Sequence, residues 1–172
     1  MKLLLHTCCA PCSVYCIDSL REEGIEPTVY WYNPNIHPYM EYKARKDCLK
    51  EYTESINVHA IFEENYGLRD FCKNVVSDLE NRCGNYCYPV RLEQTAKYAK
   101  ENGYTHFSTT LLVSPYQNHE LLIRVAEDMA KKYGPLWYPH LARYLRCGRY
   151  FQVQLLPALS FQEIVCNDEG GN

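Results

Sequence analysis

No stretch of this 172-residue chain is apolar for long enough to cross a bilayer, and its longest apolar runs are strand-sized. That argues against a membrane role. The opening Met1-Lys2-Leu3-Leu4-Leu5-His6 is too short for the apolar centre of a secretory leader, and it runs directly into Cys8-Cys9. Internal repeats and low-complexity segments are also lacking, which excludes solenoid and fibrous architectures. An excess of positive charge is missing too. The formal net charge is −3, so no global field draws the protein to nucleic acid. With 47% hydrophobic and 23% charged residues the chain can bury a core, and its length suits a single domain spanning residues 1–172.

What is abundant is cysteine. Ten in 172 residues is far above ordinary usage, and a chain of this size does not need disulfides to fold. In a reducing compartment such cysteines serve more often as metal ligands or redox groups than as staples. The composition therefore indicates a cytoplasmic protein with thiol chemistry.

Along the chain, strand and helix signals alternate. Lys2 to Thr7 reads as a buried first strand, and Cys12 to Glu23 as a helix stopped by Gly24. Thr28 to Tyr32 is a second strand closed by the turn formers Asn33-Pro34-Asn35. A charged helix from Pro38 to about Glu54 follows, then a weaker strand from His59 to Glu63. Two helices are expected over Leu68–Glu80 and Tyr88–Asn102, a fourth strand over His106–Thr110, and a helix over Asn118–Lys132 ended by Tyr133-Gly134-Pro135. This alternation predicts an α/β domain, a parallel sheet flanked by helices. Such sheets bind ligands outside the carboxyl ends of their strands, which places Thr7-Cys8-Cys9, Asn33-Pro34-Asn35 and Thr109-Thr110-Leu111 at the site.

Cys8-Cys9-Ala10-Pro11-Cys12 lies at the first strand-to-helix turn. Thiols there face unpaired N–H groups and the positive end of the helix dipole, which favour the thiolate. Cys83 and Cys87 precede another helix, and Gly84-Asn85 lets the backbone curl so that both sulfurs can face one centre. Four thiolates from Cys8, Cys9, Cys83 and Cys87 suit a structural zinc or an iron–sulfur cluster. Cys12 is open between packing and a role as ligand or catalytic thiol. Cys16, Cys48 and Cys72 read as packing residues, and His6 as a satisfied core residue. A competing reading takes Cys9-Ala10-Pro11-Cys12 alone as a thioredoxin-type redox pair. It leaves Cys8, Cys83 and Cys87 unexplained.

Taken in order, His6-Thr7-Cys8-Cys9-Ala10-Pro11-Cys12, Tyr32-Asn33-Pro34-Asn35-Ile36-His37-Pro38, Arg82-Cys83 through Cys87-Tyr88 with Arg91-Leu92, and Thr109 through Gln117 form a set. This set resembles the cobalamin-independent epoxyqueuosine reductases, the QueH family, over about residues 1–135. The resemblance implies a nucleotide-hydrolase-like fold without a Gly-rich phosphate loop. It also implies a [4Fe–4S] cluster beside a second metal ion, iron, and reduction of epoxyqueuosine in tRNA to queuosine by an external electron donor. The cluster ligands it implies are Cys8, Cys9, Cys83 and Cys87, with Cys12 the nearest candidate for the second metal.

Removing an epoxide oxygen takes two electrons, two protons and an acid. Tyr116 and His119 are the candidate proton donors beside Cys12. Asn33, Asn35 and His37 have the loop position to hydrogen-bond a base or a cyclopentane diol, with Thr109 and Ser114 over the ligand. Phosphate contacts would fall to Lys43, Arg45, Lys46 and Lys50, and to Arg143, Arg146 and Arg149. Two features depart from the family pattern. The second pair is spaced C-x3-C rather than C-x2-C, and the tail over residues 138–172 is divergent, with Cys147-Gly148 and a lone Cys166 in place of a closing Cys-Gly-Cys. A non-catalytic zinc module remains the rival from another class.

Overall fold

The structure is a computed structural model that describes residues 1–139. Arg143, Arg146, Arg149, Cys147 and Cys166 lie outside the described residues. Strand β1 (Leu3–His6) is buried along its whole length and forms the centre of the sheet. β2 (Pro27–Trp31) pairs with it in parallel, Leu3 opposite Pro27 and His6 opposite Tyr30. β3 (Ala60–Phe62) adds beyond β2, and β4 (His106–Thr109) lies on the other side of β1. The order is β3-β2-β1-β4-β5, parallel throughout. The outermost strand, β5 (Leu136–Trp137), is two residues long and joins β4. So short a strand leaves no alternation to read, and Tyr133-Gly134-Pro135 signals only the end of the preceding helix.

Helix α1 (Ala10–Glu22) packs beside α2 (Tyr39–Ser55), while α4 (Tyr88–Glu101) packs beside α5 (His119–Tyr133). Right-handed crossovers put each pair on its own face, because the chain runs outward from β1 to β3 and then returns to β4. The connection reverses between β1 and β4. A crevice opens at such a switch point, outside the carboxyl ends of the two strands.

α1 begins two residues before the expected Cys12. Cys9 is its extended N-cap, and Pro11 sits in the first turn, where a missing N–H costs nothing. Cys12 is thereby drawn into that first turn. The helix expected over residues 68–80 is shorter, α3 (Leu68–Val75). Beyond it Asp78 gathers the chain: its carboxylate accepts from the Asn81 amide (3.2 Å), the Asn81 side chain (2.9 Å) and Asn85 Nδ2 (3.0 Å). A π-helical turn, Cys83–Cys87, then runs straight into α4.

The core is built from Leu3, Leu4 and Leu5, from Tyr30 and Trp31, and from Phe107, Leu92, Ala96, Leu122 and Ala126. Cys16 is fully buried, as expected of a packing residue, and Cys48 is half-buried. Cys72 is exposed on the short α3 rather than in the core. Gly67 holds φ +62° at the entrance to α3, and a Cβ there would fall 2.6 Å from Cβ of Pro34. Only glycine lets this entrance close against the Asn33-Pro34-Asn35 turn.

Candidate metal centre

The Sγ atoms of Cys8, Cys9 and Cys12 lie within 4.8 Å of one another at the switch point between β1 and β4. Cys8 and Cys9 are separated by 3.7 Å, well beyond a disulfide bond, so the site presents free thiols. The Cys8 amide donates to Thr110 Oγ1 at 3.4 Å, and its sulfur lies 3.7 Å from the same hydroxyl. Residues after β1 and after β4 thus meet at one sulfur. Ser13 Oγ donates to the Cys9 carbonyl (2.7 Å) and fixes the N-cap.

The three thiols are not equivalent. Contacts from Cys12 and then Cys9 hold the Cys8 thiol well below its ordinary range, and the neighbouring His6 and Thr110 act in the same direction against burial. Cys12 is pushed up by its contacts to Cys8 and Cys9 and by burial. Cys9 is pulled down by Cys12, but the Cys8 contact, burial and the Cys8 charge outweigh this and leave it raised. A thiolate therefore forms first at Cys8, with the other two as donors to it. A metal must displace those protons, so its binding is coupled to proton release.

Below the thiols lies a buried polar relay. His6 is completely buried, and burial followed by the Arg91 charge lowers its pKa to about 4, so its ring is neutral. Its Nε2 lies 3.3 Å from the Tyr32 carbonyl, which can only accept, and its Nδ1 lies 2.8 Å from Thr109 Oγ1. The Thr109 hydroxyl donates to Nδ1 and accepts from the Leu111 amide at 3.2 Å. His6 is thus the satisfied core residue expected from the sequence, and Thr109 is committed to it.

The second cysteine pair stands outside the 4.8 Å triangle. Cys83 and Cys87 open and close a single π-helical turn, Cys87 buried and Cys83 half-buried. Arg91 Nε donates to the Cys87 carbonyl at 2.7 Å, and its charge interacts favourably with Cys87, Cys8 and Cys83, although burial outweighs this and lowers its pKa. The sequence places Thr110 at the carboxyl end of its strand and Arg91 within a motif, but assigns neither a role of its own. A hydroxyl one residue past a strand and an arginine on a buried helix face carry no local signal of chemistry.

At the end of β2, Asn33 Nδ2 donates to the Thr7 carbonyl (2.9 Å), while Asn33 Oδ1, Asn35 Oδ1 and both nitrogens of His37 are buried without a partner among the described residues. The His37 ring, held after the turn by a cis His37–Pro38 bond, lies 4.8 Å from Tyr66 and 4.6 Å from Phe71. Orphaned polar atoms in such number, acceptors and one imidazole N–H, call for a bound molecule or ordered water. Beyond β4, His119 Nε2 donates to the Ser114 carbonyl at 2.8 Å, and Ser114 is half-buried. Tyr88 ties this loop down, donating to Gln117 Oε1 (2.9 Å) and accepting from the Asn118 amide (3.1 Å). Tyr116 is 90% exposed. Among the basic residues of α2, Lys43, Arg45 and Lys46 pair with Asp47, Glu41 and Glu64, and Lys50 is exposed.

Residues 3–155 match the family described as epoxyqueuosine reductase QueH. The chain is 41% identical over 133 residues to the epoxyqueuosine reductase QueH of Dehalococcoides mccartyi, covering 77% of this chain and 72% of that one. It is 35% identical over 142 residues to the protein of that name from Histophilus somni and 35% identical over 146 residues to that from Acinetobacter baylyi, in each case over 80% of this chain. The matched regions span 58% and 64% of those two relatives.

Proposed function

The chain belongs to the QueH family of epoxyqueuosine reductases, and from that premise we propose that it reduces epoxyqueuosine in tRNA to queuosine. The observation that carries this reading is the convergence of Cys8, Cys9 and Cys12 within 4.8 Å at the switch point of a parallel sheet. The reaction consumes two electrons and two protons, breaks both carbon–oxygen bonds of the epoxide, and leaves an alkene and water. An external donor supplies the electrons.

The donor set suits a thiophilic centre: soft sulfur ligands, one of them already biased towards thiolate, with a second cysteine pair on a helix entrance. In this reading Cys8, Cys9, Cys83 and Cys87 would hold a [4Fe–4S] cluster, and Cys12 would be the nearest candidate ligand of a second metal ion, iron. When bound, these groups supply one-electron transfer and a Lewis acid for the departing oxygen. The protein's own residues do the rest. The orphaned Asn33 Oδ1, Asn35 Oδ1 and His37 nitrogens accept or donate to the modified base and its diol. Thr109 sets the floor through His6, and Ser114 lines the opposite loop. His119, anchored through Nε2, keeps Nδ1 for a proton, and Tyr116 reaches the substrate from the exposed rim.

The RNA is held by phosphate contacts from Lys50 and from Lys43, whose exposed pair with Asp47 is weak enough to exchange for phosphate, with the more buried Arg45 and Lys46 beside them. No helix among the described residues is long and apolar enough to cross a membrane, and free thiols in this number suit a reducing cytoplasm.

The test is protein purified without oxygen, analysed for iron and acid-labile sulfide and then given epoxyqueuosine-tRNA with a reductant. About four irons and four sulfides per chain, with or without one extra metal, and formation of queuosine are expected. One zinc with no sulfide, in a colourless protein that leaves the tRNA unchanged, would overturn the reading.

A further inference from the structure

Arg91 is 5% exposed, in the middle of the protein, and no carboxylate among the described residues pairs with it. Among the described residues its one hydrogen bond runs from Nε to the backbone carbonyl of Cys87 at 2.7 Å. The guanidinium carbon lies 5.9 Å from the Tyr88 ring centroid, at the start of the same helix. A carbonyl and an aromatic face are poor compensation for a buried full charge, which costs several kcal/mol unless an anion balances it. The groups that interact with it electrostatically and can become anionic are the thiols of Cys87, Cys8 and Cys83 and the phenol of Tyr88, and of these a metal would deprotonate the thiols. They come from the two helix entrances that the sheet brings together. After burial, this cation is the next largest influence keeping the neighbouring His6 neutral.

We propose that Arg91 is the counter-charge of the anionic metal centre held by these cysteines and that it sets the centre's reduction potential. The inference rests on the cluster reading above. A four-thiolate [4Fe–4S] centre gains one further negative charge when it takes up an electron. A fixed cation beside it stabilises the reduced form more than the oxidised one. Arg91 exchanges no atom with substrate. It is a positioning charge, and its effect is exerted through the cluster.

The test is an anaerobic redox titration of the loaded protein, followed by visible absorption and electron paramagnetic resonance, comparing wild type with Arg91→Met and Arg91→Lys. At a fixed solution potential the reduced-to-oxidised ratio is expected to fall about tenfold in Arg91→Met, a downward shift of about 59 mV for one electron. Arg91→Lys, which keeps the charge, should return the ratio to within about threefold of wild type. A loaded Arg91→Met protein with an unchanged ratio overturns the role of Arg91 and leaves the cluster reading standing. A wild-type protein that takes up no iron and sulfide overturns both.

Should Arg91→Met fail to load, thermal unfolding of the metal-free proteins decides. Metal-free Arg91→Met melting at or above wild type supports the proposal, because an uncompensated buried charge has been removed. Melting well below wild type shows a structural strut and overturns it.

Discussion

His6 and Thr109 share a 2.8 Å hydrogen bond between neighbouring parallel strands, at the point where the sheet reverses its direction of connection. The bond does more than satisfy two buried groups. Through the Thr109 hydroxyl it reaches the Leu111 amide, and through the other ring nitrogen it reaches the Tyr32 carbonyl. Three strand ends are thereby held in fixed relation two residues below the thiol of Cys8. The cysteines keep their geometry on this floor, since a crevice between strands has no ladder of its own to hold it.

Thr109→Val keeps the shape of the side chain and removes the hydroxyl. The Nδ1 acceptor and the Leu111 donor are then both buried without a partner. A loss of about 2 kcal/mol in urea unfolding of the metal-free protein is expected, against less than about 1 kcal/mol for Thr109→Ser. Equal losses in the two variants would remove the relay from the account.

The same histidine gives stability a pH dependence. His6 titrates near 6.5 when unfolded and at about 4 when folded. Between those values the unfolded chain binds more protons, so stability rises with pH. The contribution is complete above about pH 6.5 and is lost as the pH falls towards 4, amounting to about 3 kcal/mol. In metal-free protein, His6→Gln should flatten the unfolding free energy across this window while leaving the carboxylate-driven loss in place. Parallel wild-type and variant curves would show that His6 carries no such linkage.

The cysteines separate by geometry into ligands and packing. Cys16 is fully buried and donates to the Cys12 carbonyl at 3.1 Å, so its sulfur is turned away from the triangle of Cys8, Cys9 and Cys12. Cobalt(II) added anaerobically to metal-free protein should give thiolate-to-metal absorption in wild type and in Cys16→Ala. Cys8→Ser and Cys9→Ser should each weaken binding by at least about tenfold. Undiminished binding in Cys8→Ser would place the metal elsewhere.

Much of this arrangement is legible in the sequence because it rests on short-range signals. Three leucines before His6 can only be a buried strand, and Pro11 after vicinal cysteines marks a helix entrance at that strand's end. Alternation then dictates a parallel sheet, and a parallel sheet dictates where the ligand goes. What escapes is set by long-range packing. β5 is two residues of strand stabilised by β4, α3 is cut short by the carboxylate of Asp78, and Cys72 is exposed because that helix covers so little. Arg91 escapes for the same reason. Its isolation from carboxylates is a property of the folded interior, and no spacing along α4 announces it.

His37 offers a case where fold and function should pull apart. Its ring sits between Tyr66 and Phe71 at 4.8 and 4.6 Å, a slot that phenylalanine fills equally well. Its two nitrogens, however, are buried with no well-formed hydrogen bond among the described residues, and burial lowers its pKa against a weaker opposing pull from the Pro34 carbonyl. In the absence of substrate these nitrogens cost stability without return. His37→Phe should therefore unfold at the same free energy as wild type or up to about 1 kcal/mol higher. If the nitrogens meet the modified base, the KM for epoxyqueuosine-tRNA should rise about tenfold with kcat little changed, the loss of one or two neutral hydrogen bonds. A variant that is stabilised but keeps its KM would place the base elsewhere along the crevice, leaving Asn33 and Asn35 as the groups to substitute next.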